Sequence, residues 1–295
     1  MTSKASQRRI SAAYDLAKCL SIDSSSRLVL MSDIHRGRGT GADEFAKNQK
    51  LYYTALRHYD REGYTYLELG DGDELWQERR MWEIKEEYDY IFSLLAKLYL
   101  EGRFHMIYGN HDRVKRSETW VRANLYDYIA RADGVSRPLF PDMLVEEAIL
   151  LRHKQAGSAF LLLHGHQADF FNYRLWWLGR FLVRYLWKPL ELLGLRNPFD
   201  TNQSPRRSTR VERILASWGE REDISIIAGH THRPKLPKRG EGRYINTGSA
   251  VHTRYITALE IRDGEMCLVK WEVAVKEDGS LYITKEPMTG ARPIV

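Results

Sequence analysis

Five apolar runs in this chain each stop abruptly in a short cluster of Asp, His, Asn and Gly. The first, Arg27-Leu-Val-Leu-Met31, leads into Ser32-Asp-Ile-His35. The second, Tyr64 to Leu69, leads into Gly70-Asp-Gly-Asp-Glu74, and the third, Arg103 to Tyr108, into Gly109-Asn-His-Asp112. Ala159 to Leu163 runs into His164-Gly-His166, and Ile224 to Ala228 into Gly229-His-Thr-His232. Short apolar runs with such ends read as buried strands delivering polar side chains at their carboxyl ends. Open α/β sheets bind their ligands at that end. Residues two apart on a strand share a face, so Asp33 with His35, and His230 with His232, can aim at one point.

Helical patterns separate the first three runs, over Asp43 to Arg61, about Trp82 to Leu100, and Ser117 to Arg131. Leu144 to Arg152 and Ala159 to Leu163 read as a hairpin. Arg243 to Asn246, Tyr255 to Ile261 and Glu265 to Val275 read as closing antiparallel strands, with Asp263-Gly264 as a turn signal. At 295 residues the chain is long enough for two domains, or for one large α/β domain with insertions. The division expected is an N-terminal helix over 1–26, a catalytic-type domain over 27–275 with a helical cap inserted at about 167–208, and a weakly patterned tail over 276–295.

Several classes are excluded. Two cysteines, Cys19 and Cys267, cannot build a disulfide scaffold or a CxxC zinc module, and they fit a reducing compartment. No window supplies about 18 uncharged apolar residues, so no membrane-spanning helix is expected. Met1 to Ile10 is charged and lacks the apolar stretch of a secretory signal. A cytoplasmic protein, possible at a membrane periphery, is the expectation. Lys plus Arg exceed Asp plus Glu by 45 to 39, which favours anionic partners: a phosphorylated small molecule, a lipid-like ester, an anionic membrane surface or nucleic acid.

Imidazole, carboxylate and amide donors without sulfur suit Mn, Fe, Zn or Co. A lone DxH or HxH is commonly just a hydrogen-bonded turn; all five clusters in one order are a different matter. The ordered series Asp33-x-His35, Gly70-Asp71-x-x-Glu74, Gly109-Asn110-His111-Asp112, His164-Gly-His166 and Gly229-His230-x-His232 resembles the calcineurin-like metallophosphoesterase superfamily. The resemblance spans about residues 27 to 275. It implies a four-layer α/β/β/α sandwich and two divalent cations, Mn²⁺ first among them, about 3.5–4 Å apart. It also implies that Asp33, His35 and His232 hold one cation, that Asn110, His164 and His230 hold the other, and that Asp71 bridges them. Phosphate mono- or diester hydrolysis would proceed by attack of a metal-bridging hydroxide, with His111 as general acid. Glu74 stands where the family places the carboxylate that orients that acid.

The motifs depart from two branches. GDGDELW and GNHD lack the signature Arg of the phosphoprotein phosphatase pattern, which disfavours a Ser/Thr phosphatase. The UDP-2,3-diacylglucosamine pyrophosphohydrolases are similar in their GDxxE pattern and basic, hydrophobic cap, but carry Arg at the position of His111 and HGD where this chain has HGH. A pyrophosphohydrolase of a nucleotide-linked or lipid-like substrate is therefore the alternative enzyme, and a silent binding scaffold the alternative outside enzymes.

The cap and the motif flanks supply candidate substrate contacts. At about 100° per residue, Arg174, Arg180, Arg184 and Lys188 share about 120° of arc, with Trp177, Phe181 and Tyr185 among them and leucines opposite. Aromatics interleaved with basic groups suit an amphiphilic phosphate ester or an acidic lipid surface, and equally a docked cap helix with snorkelling arginines. Trp177, Phe181 and Arg184 are the candidates there. Arg36 and Arg113, beside the first and third clusters, are expected to rim the cleft, and His166 to touch substrate phosphate or a ligand.

Overall fold

Successive side chains of a strand point to opposite faces, so near-continuously apolar strands must bury both faces of their sheet, which dictates layers. In the computed structural model, which describes residues 2–155, 157–169, 172–173, 180–183 and 205–294, two sheets lie face to face with helices outside each. Strand β1 (Lys18–Ile22) belongs to one sheet and β2 (Leu28–Met31), β3 (Thr65–Leu69) and β4 (Phe104–Ile107) to the other, the last three parallel. A small hairpin of β5 (Asp127–Ile129) and β6 (Ser136–Pro138) stands apart. With β7 (Ala148–His153), β8 (Ala159–Leu163), β9 (Ser225–Ala228) and β10 (Tyr244–Asn246), the first sheet runs β1-β7-β8-β9-β10. With β11 (Tyr255–Arg262), β12 (Glu265–Val275), β13 (Leu281–Pro287) and β14 (Arg292–Pro293), the second runs β13-β12-β11-β2-β3-β4, β14 pairing with β12.

Alternation sorts the side chains. Leu28 and Leu30 of β2, Phe160 and Leu162 of β8, and Ile227 of β9 fill the space between the sheets. Their neighbours Val29 and Met31 turn outward to helices α2 (Gln49–Arg61) and α4 (Asp89–Leu100), where Tyr52, Leu56, Ile91 and Leu95 cover them. Leu161, Leu163 and Ile226 turn the other way, under α1 (Thr2–Asp15) and α6 (Pro205–Glu222), against Ile10, Leu215 and Trp218. The layers are α/β/β/α.

Several elements differ from their sequence reading, each for a local reason. The helix expected from Asp43 begins at Gln49, because the Asp43 carboxylate turns back to accept the N–H groups of Phe45 and Ala46. The pattern over Trp82 to Leu100 is two helices, α3 (Met81–Glu87) and α4, broken at Tyr88, whose ring is buried and whose hydroxyl donates to Asp43. The helix expected to reach Arg131 stops at Leu125 as α5 (Glu118–Leu125) and gives way to β5. Strand β10 runs parallel to β9, not antiparallel. The stretch 1–26 holds β1 as well as α1, and 276–295 is not a loose tail but contains β13 and β14.

Leu162 sits fully buried between the sheets, one residue before the β8 end that presents His164. Replacing it with Ala should cost about 2–5 kcal/mol through lost transfer energy and the cavity left behind. Urea unfolding checks this; an unchanged midpoint would mean the two sheets do not pack through this layer.

Candidate metal centre

The chain turns sharply at the ends of β2, β3 and β9, and the polar residues there occupy backbone that side chains seldom adopt. Asp33, His35, Asp71, His230 and His232 all have positive φ, between 51° and 67°. Asp and His tolerate this region better than most residues, yet such conformations persist only where surroundings enforce them. Glycines let the turns close on one another. A Cβ on Gly109 would fall 2.0 Å from Asp71 Oδ1, and one on Gly229 2.4 Å from Asp33 Oδ2.

The ligand-type side chains converge. Asp33, His35 and His232 each bring one donor atom within 4.8 Å of the others, and so do Asp71, His164 and His230. His35, Asp71 and His111 form a third such group. Asn110 Oδ1 lies 3.2 Å from His164 Nε2, itself 3.1 Å from Asp71 Oδ2. His35 Nε2 is buried and makes no hydrogen bond, although it faces Asp33 Oδ1 at 4.0 Å and Asp71 Oδ2 at 3.9 Å. Those gaps are too long for hydrogen bonds and about twice a metal–ligand bond. A buried nitrogen aimed at two carboxylates across such a space fits a divalent cation.

Three of the ligand-type imidazoles are held through one ring nitrogen, as metal-ligating histidines usually are. His35 Nδ1 donates to Glu74 Oε2 at 2.9 Å, His164 Nδ1 to the Leu69 carbonyl at 2.9 Å, and His230 Nε2 approaches Asp169 Oδ2 at 3.4 Å. Glu74 also takes His111 Nδ1, at 2.8 Å from one oxygen and 2.7 Å from the other. Trp76 stacks on the His111 ring with centroids 4.2 Å apart and anchors its own N–H on the Asn110 carbonyl. Glu74 therefore orients both a ligand-type histidine and the candidate acid, where the sequence pointed only to the acid.

Burial disfavours charge on these histidines, but the surrounding carboxylates outweigh it for three of them. His35 is pushed up to about 10 by Glu74, Asp71 and Asp33, and His164 to about 9 by Asp71 and Asp33. His111 is also raised, by Glu74 and Asp71. Burial wins at His230, which is lowered despite Asp169, and at His166, lowered further by His164 and Arg113.

Other candidates land in varied places. His166 is fully buried, its ring 5.6 Å from that of His164 and stacked on Tyr173, with neither nitrogen hydrogen-bonded. Arg113 lies over the Tyr173 ring at 4.5 Å and donates to its carbonyl. Arg36 is a correction: it does not rim the cleft. It is fully buried, forked onto Glu68 at 2.7 and 2.8 Å and donating through Nε to Asp73 at 2.7 Å. Phe181 is 56% exposed, while Trp177 and Arg184 lie outside the described residues. Sequence reasoning missed Asp112 and Asp169. Asp112 accepts the N–H of Gly109, Gly72 and Asp71, and Asp169 takes both His230 and a forked Arg207. Asp112 was visible in its motif; Asp169 carried no signal beyond standing five residues after His164.

A doubled histidine–carboxylate cluster at the carboxyl ends of strands in an α/β/β/α sandwich defines a metallophosphoesterase architecture. The chain belongs to the calcineurin-like phosphoesterase family, whose model matches residues 26–234. A comparison with curated proteins finds no match. Similar solved structures include Vps29 from Chaetomium thermophilum, 11% identical, covering 92% of this chain and 99% of that one at a TM-score of 0.42. Vps29 from Cryptosporidium parvum is also 11% identical, covering 90% and 98% at a TM-score of 0.40.

Metal and protons compete for these imidazoles, which predicts opposite pH trends. With pKa values of His35 and His164 raised above 6.5, their charged forms stabilise the metal-free fold below pH 6.5, and that contribution is lost as pH rises through about 9 and 10. Cation binding needs neutral imidazoles and strengthens over the same range. Melting temperatures in chelator should fall from pH 6.5 to 10, while the increment from added Mn²⁺ should grow. An increment of zero throughout would show that no cation binds.

Proposed function

We propose that this protein is a dinuclear, metal-dependent phosphoesterase that hydrolyses a phosphate mono- or diester, with His111 as general acid. The observation that carries the reading is the Glu74 carboxylate, which grips His35 and His111 together beside the two donor triads. Asp33, His35 and His232 would hold one cation, Asn110, His164 and His230 the other, with Asp71 shared. Mn²⁺ suits the donors, as do Fe, Zn and Co. When bound, the cations supply an activated water and neutralise charge on the phosphoryl oxygens.

The chain's own residues provide the rest. Glu74 occupies His111 Nδ1, so Nε2 is the atom left to deliver a proton to the leaving oxygen. The raised proton affinity of His111 keeps that proton in place near neutrality, and the Trp76 stack fixes the ring's plane. Arg113, mostly buried beside Tyr173, is a candidate contact for substrate phosphate, as is His166.

The exposed ring of Phe181 supports a second reading, a pyrophosphohydrolase acting on a nucleotide-linked or lipid-like substrate. In that reading Trp177, Phe181 and Arg184 contact the bulky group, at an anionic membrane surface or in the cytoplasm. Among the described residues no helix is long and apolar enough to cross a membrane. Nucleic acid remains a candidate partner on charge alone. A silent scaffold is disfavoured because no ligand position of the family pattern is substituted.

Purified protein should hydrolyse an aryl phosphate or phosphodiester with Mn²⁺ and stop with chelator. Asp71→Ala should abolish turnover, since it serves both triads. His111→Ala should slow an alkyl ester by about 10²–10⁴-fold and a nitrophenyl ester far less, because only the alkoxide needs protonation to leave. Equal losses on both esters would assign His111 to structure or binding instead. Phe181→Ala should raise KM for a lipid-like ester and spare a small one; a lowered melting temperature with an unchanged substrate ratio would leave the cap a packing element only.

A further inference from the structure

A second basic cavity lies at the other end of the first sheet, where its strands begin. It has a volume of about 850 Å³ and is lined by Arg152, Arg239, Arg243 and Arg292, with Glu220, Asp223 and Glu241 on its walls. β8 starts at Ala159 and β9 at Ser225 in this cavity, and both run away from it to His164 and His230. Five residues of strand span about 17 Å, so this space is separate from the candidate metal centre.

The arginines there are not matched by the acids. Four arginines face three carboxylates, a surplus of one positive charge; Arg243 pairs with Asp223, and Glu241 accepts the backbone N–H of Lys238. The side chains of Arg152 and Arg239 make no hydrogen bond or ion pair among the described residues. Arg292 donates through Nη1 to the Pro237 carbonyl, while its Nε is buried with no partner. Burial weakens the charged form of Arg292, and the neighbouring Arg239 and Arg243 weaken it further. A buried guanidinium N–H without an acceptor, repelled by two others, is an arrangement that an anion relieves.

The rest of the lining indicates the size and kind of anion. The loop Lys238-Arg239-Gly240-Glu241-Gly242-Arg243 brings two glycines whose missing Cβ positions face open space, so backbone can approach a ligand closely. Tyr14 and Ile224 add an apolar wall. A cavity of this volume holds a nucleotide-sized molecule.

We propose that this cavity is a binding site for a phosphorylated small molecule of nucleotide size, its phosphates held by Arg239 and Arg292 and approached by Arg152. The site owes nothing to the metal ligands, so it stands whether or not the proposed hydrolysis does.

Isothermal titration of the full chain in chelator, with ADP and with inorganic pyrophosphate, tests it, because chelation removes cation-dependent phosphate binding elsewhere. Saturable binding of at least one probe with a Kd below about 1 mM is expected. Arg239→Gln combined with Arg292→Gln should weaken it by about tenfold or more. Arg152→Gln, at an exposed position where folding is not at stake, should weaken it less, and Asp71→Ala should leave it intact. Melting curves check that the double variant is folded; if it is not, the Arg152→Gln result decides. No saturable binding, binding unaltered by the arginine variants, or binding abolished by Asp71→Ala would overturn the proposal. Binding to long nucleic acid with both small probes inert would overturn it too.

Discussion

The Asp112 carboxylate is the contact on which the rest of the centre depends. It accepts the backbone N–H of Gly109 at 2.7 Å, of Gly72 at 3.1 Å and of Asp71 at 3.3 Å, and pairs with Lys115 Nζ at 2.8 Å. Two loops from neighbouring strands thereby share one anion. Lys115 reaches on to Asp73 at 2.6 Å, Asp73 to Arg36, and Arg36 to Glu68, so the chain of charge continues into the interior of β3. All five charged side chains are buried. A buried network of this kind adds little net stability over apolar packing, yet removing one member typically costs about 3–5 kcal/mol because its partners are stranded. What it contributes is geometry: the loops bearing Asp71 and Asn110 cannot move independently.

That rigidity explains how the strained backbone persists. Left-handed conformations at non-glycine residues cost of order 1–3 kcal/mol each, and five of the ligand-type residues adopt them. The outlay is met locally by donors and acceptors already committed to the loops. Asp33 Oδ2 accepts from the Ser32 hydroxyl at 2.5 Å and from the His230 N–H at 2.9 Å, which ties the end of β2 to the end of β9. Asp71 Oδ1 takes the His111 N–H at 2.8 Å, tying β3 to β4. Carboxylates placed as ligands thus also staple the turns that present them, with one oxygen for the backbone and one for the centre.

The convergence of the candidate ligand positions was legible in the sequence because each follows an apolar strand and stands in a motif of the family. The strands themselves were legible for the same reason: β8 is wholly apolar and β9 nearly so, as doubly covered strands must be. The supporting charges were not. Glu68 sits inside Tyr-Leu-Glu-Leu, where alternation suggests a solvent-facing carboxylate, and only the burial of Arg36 beneath the loops shows otherwise. Arg36 in turn follows a ligand motif directly, so charge and proximity placed it on a rim; a turn at His35 sends it inward instead. Strand β13 escaped because it is an edge, half open on both faces, and shows no alternation to detect. The cap is a different case, since its composition fits docking and substrate contact alike.

Glu74 links the ligand-type His35 to the candidate acid His111. Its carboxylate holds His35 Nδ1 and His111 Nδ1, and the two rings meet edge to face with centroids 4.7 Å apart. A neutral His35 that offered Nε2 to a cation would keep its Nδ1–H on Glu74, so the carboxylate would go on orienting both rings. A neutral His35 would also cease to repel a proton on His111, whose proton affinity Glu74 raises. In the proposed mechanism, neutralising His35 and keeping the proton on His111 would therefore be linked through Glu74. The same coupling accounts for why a residue three positions after Asp71 has to be a carboxylate: an amide there would satisfy one imidazole's hydrogen bond but supply no charge to hold the other's proton.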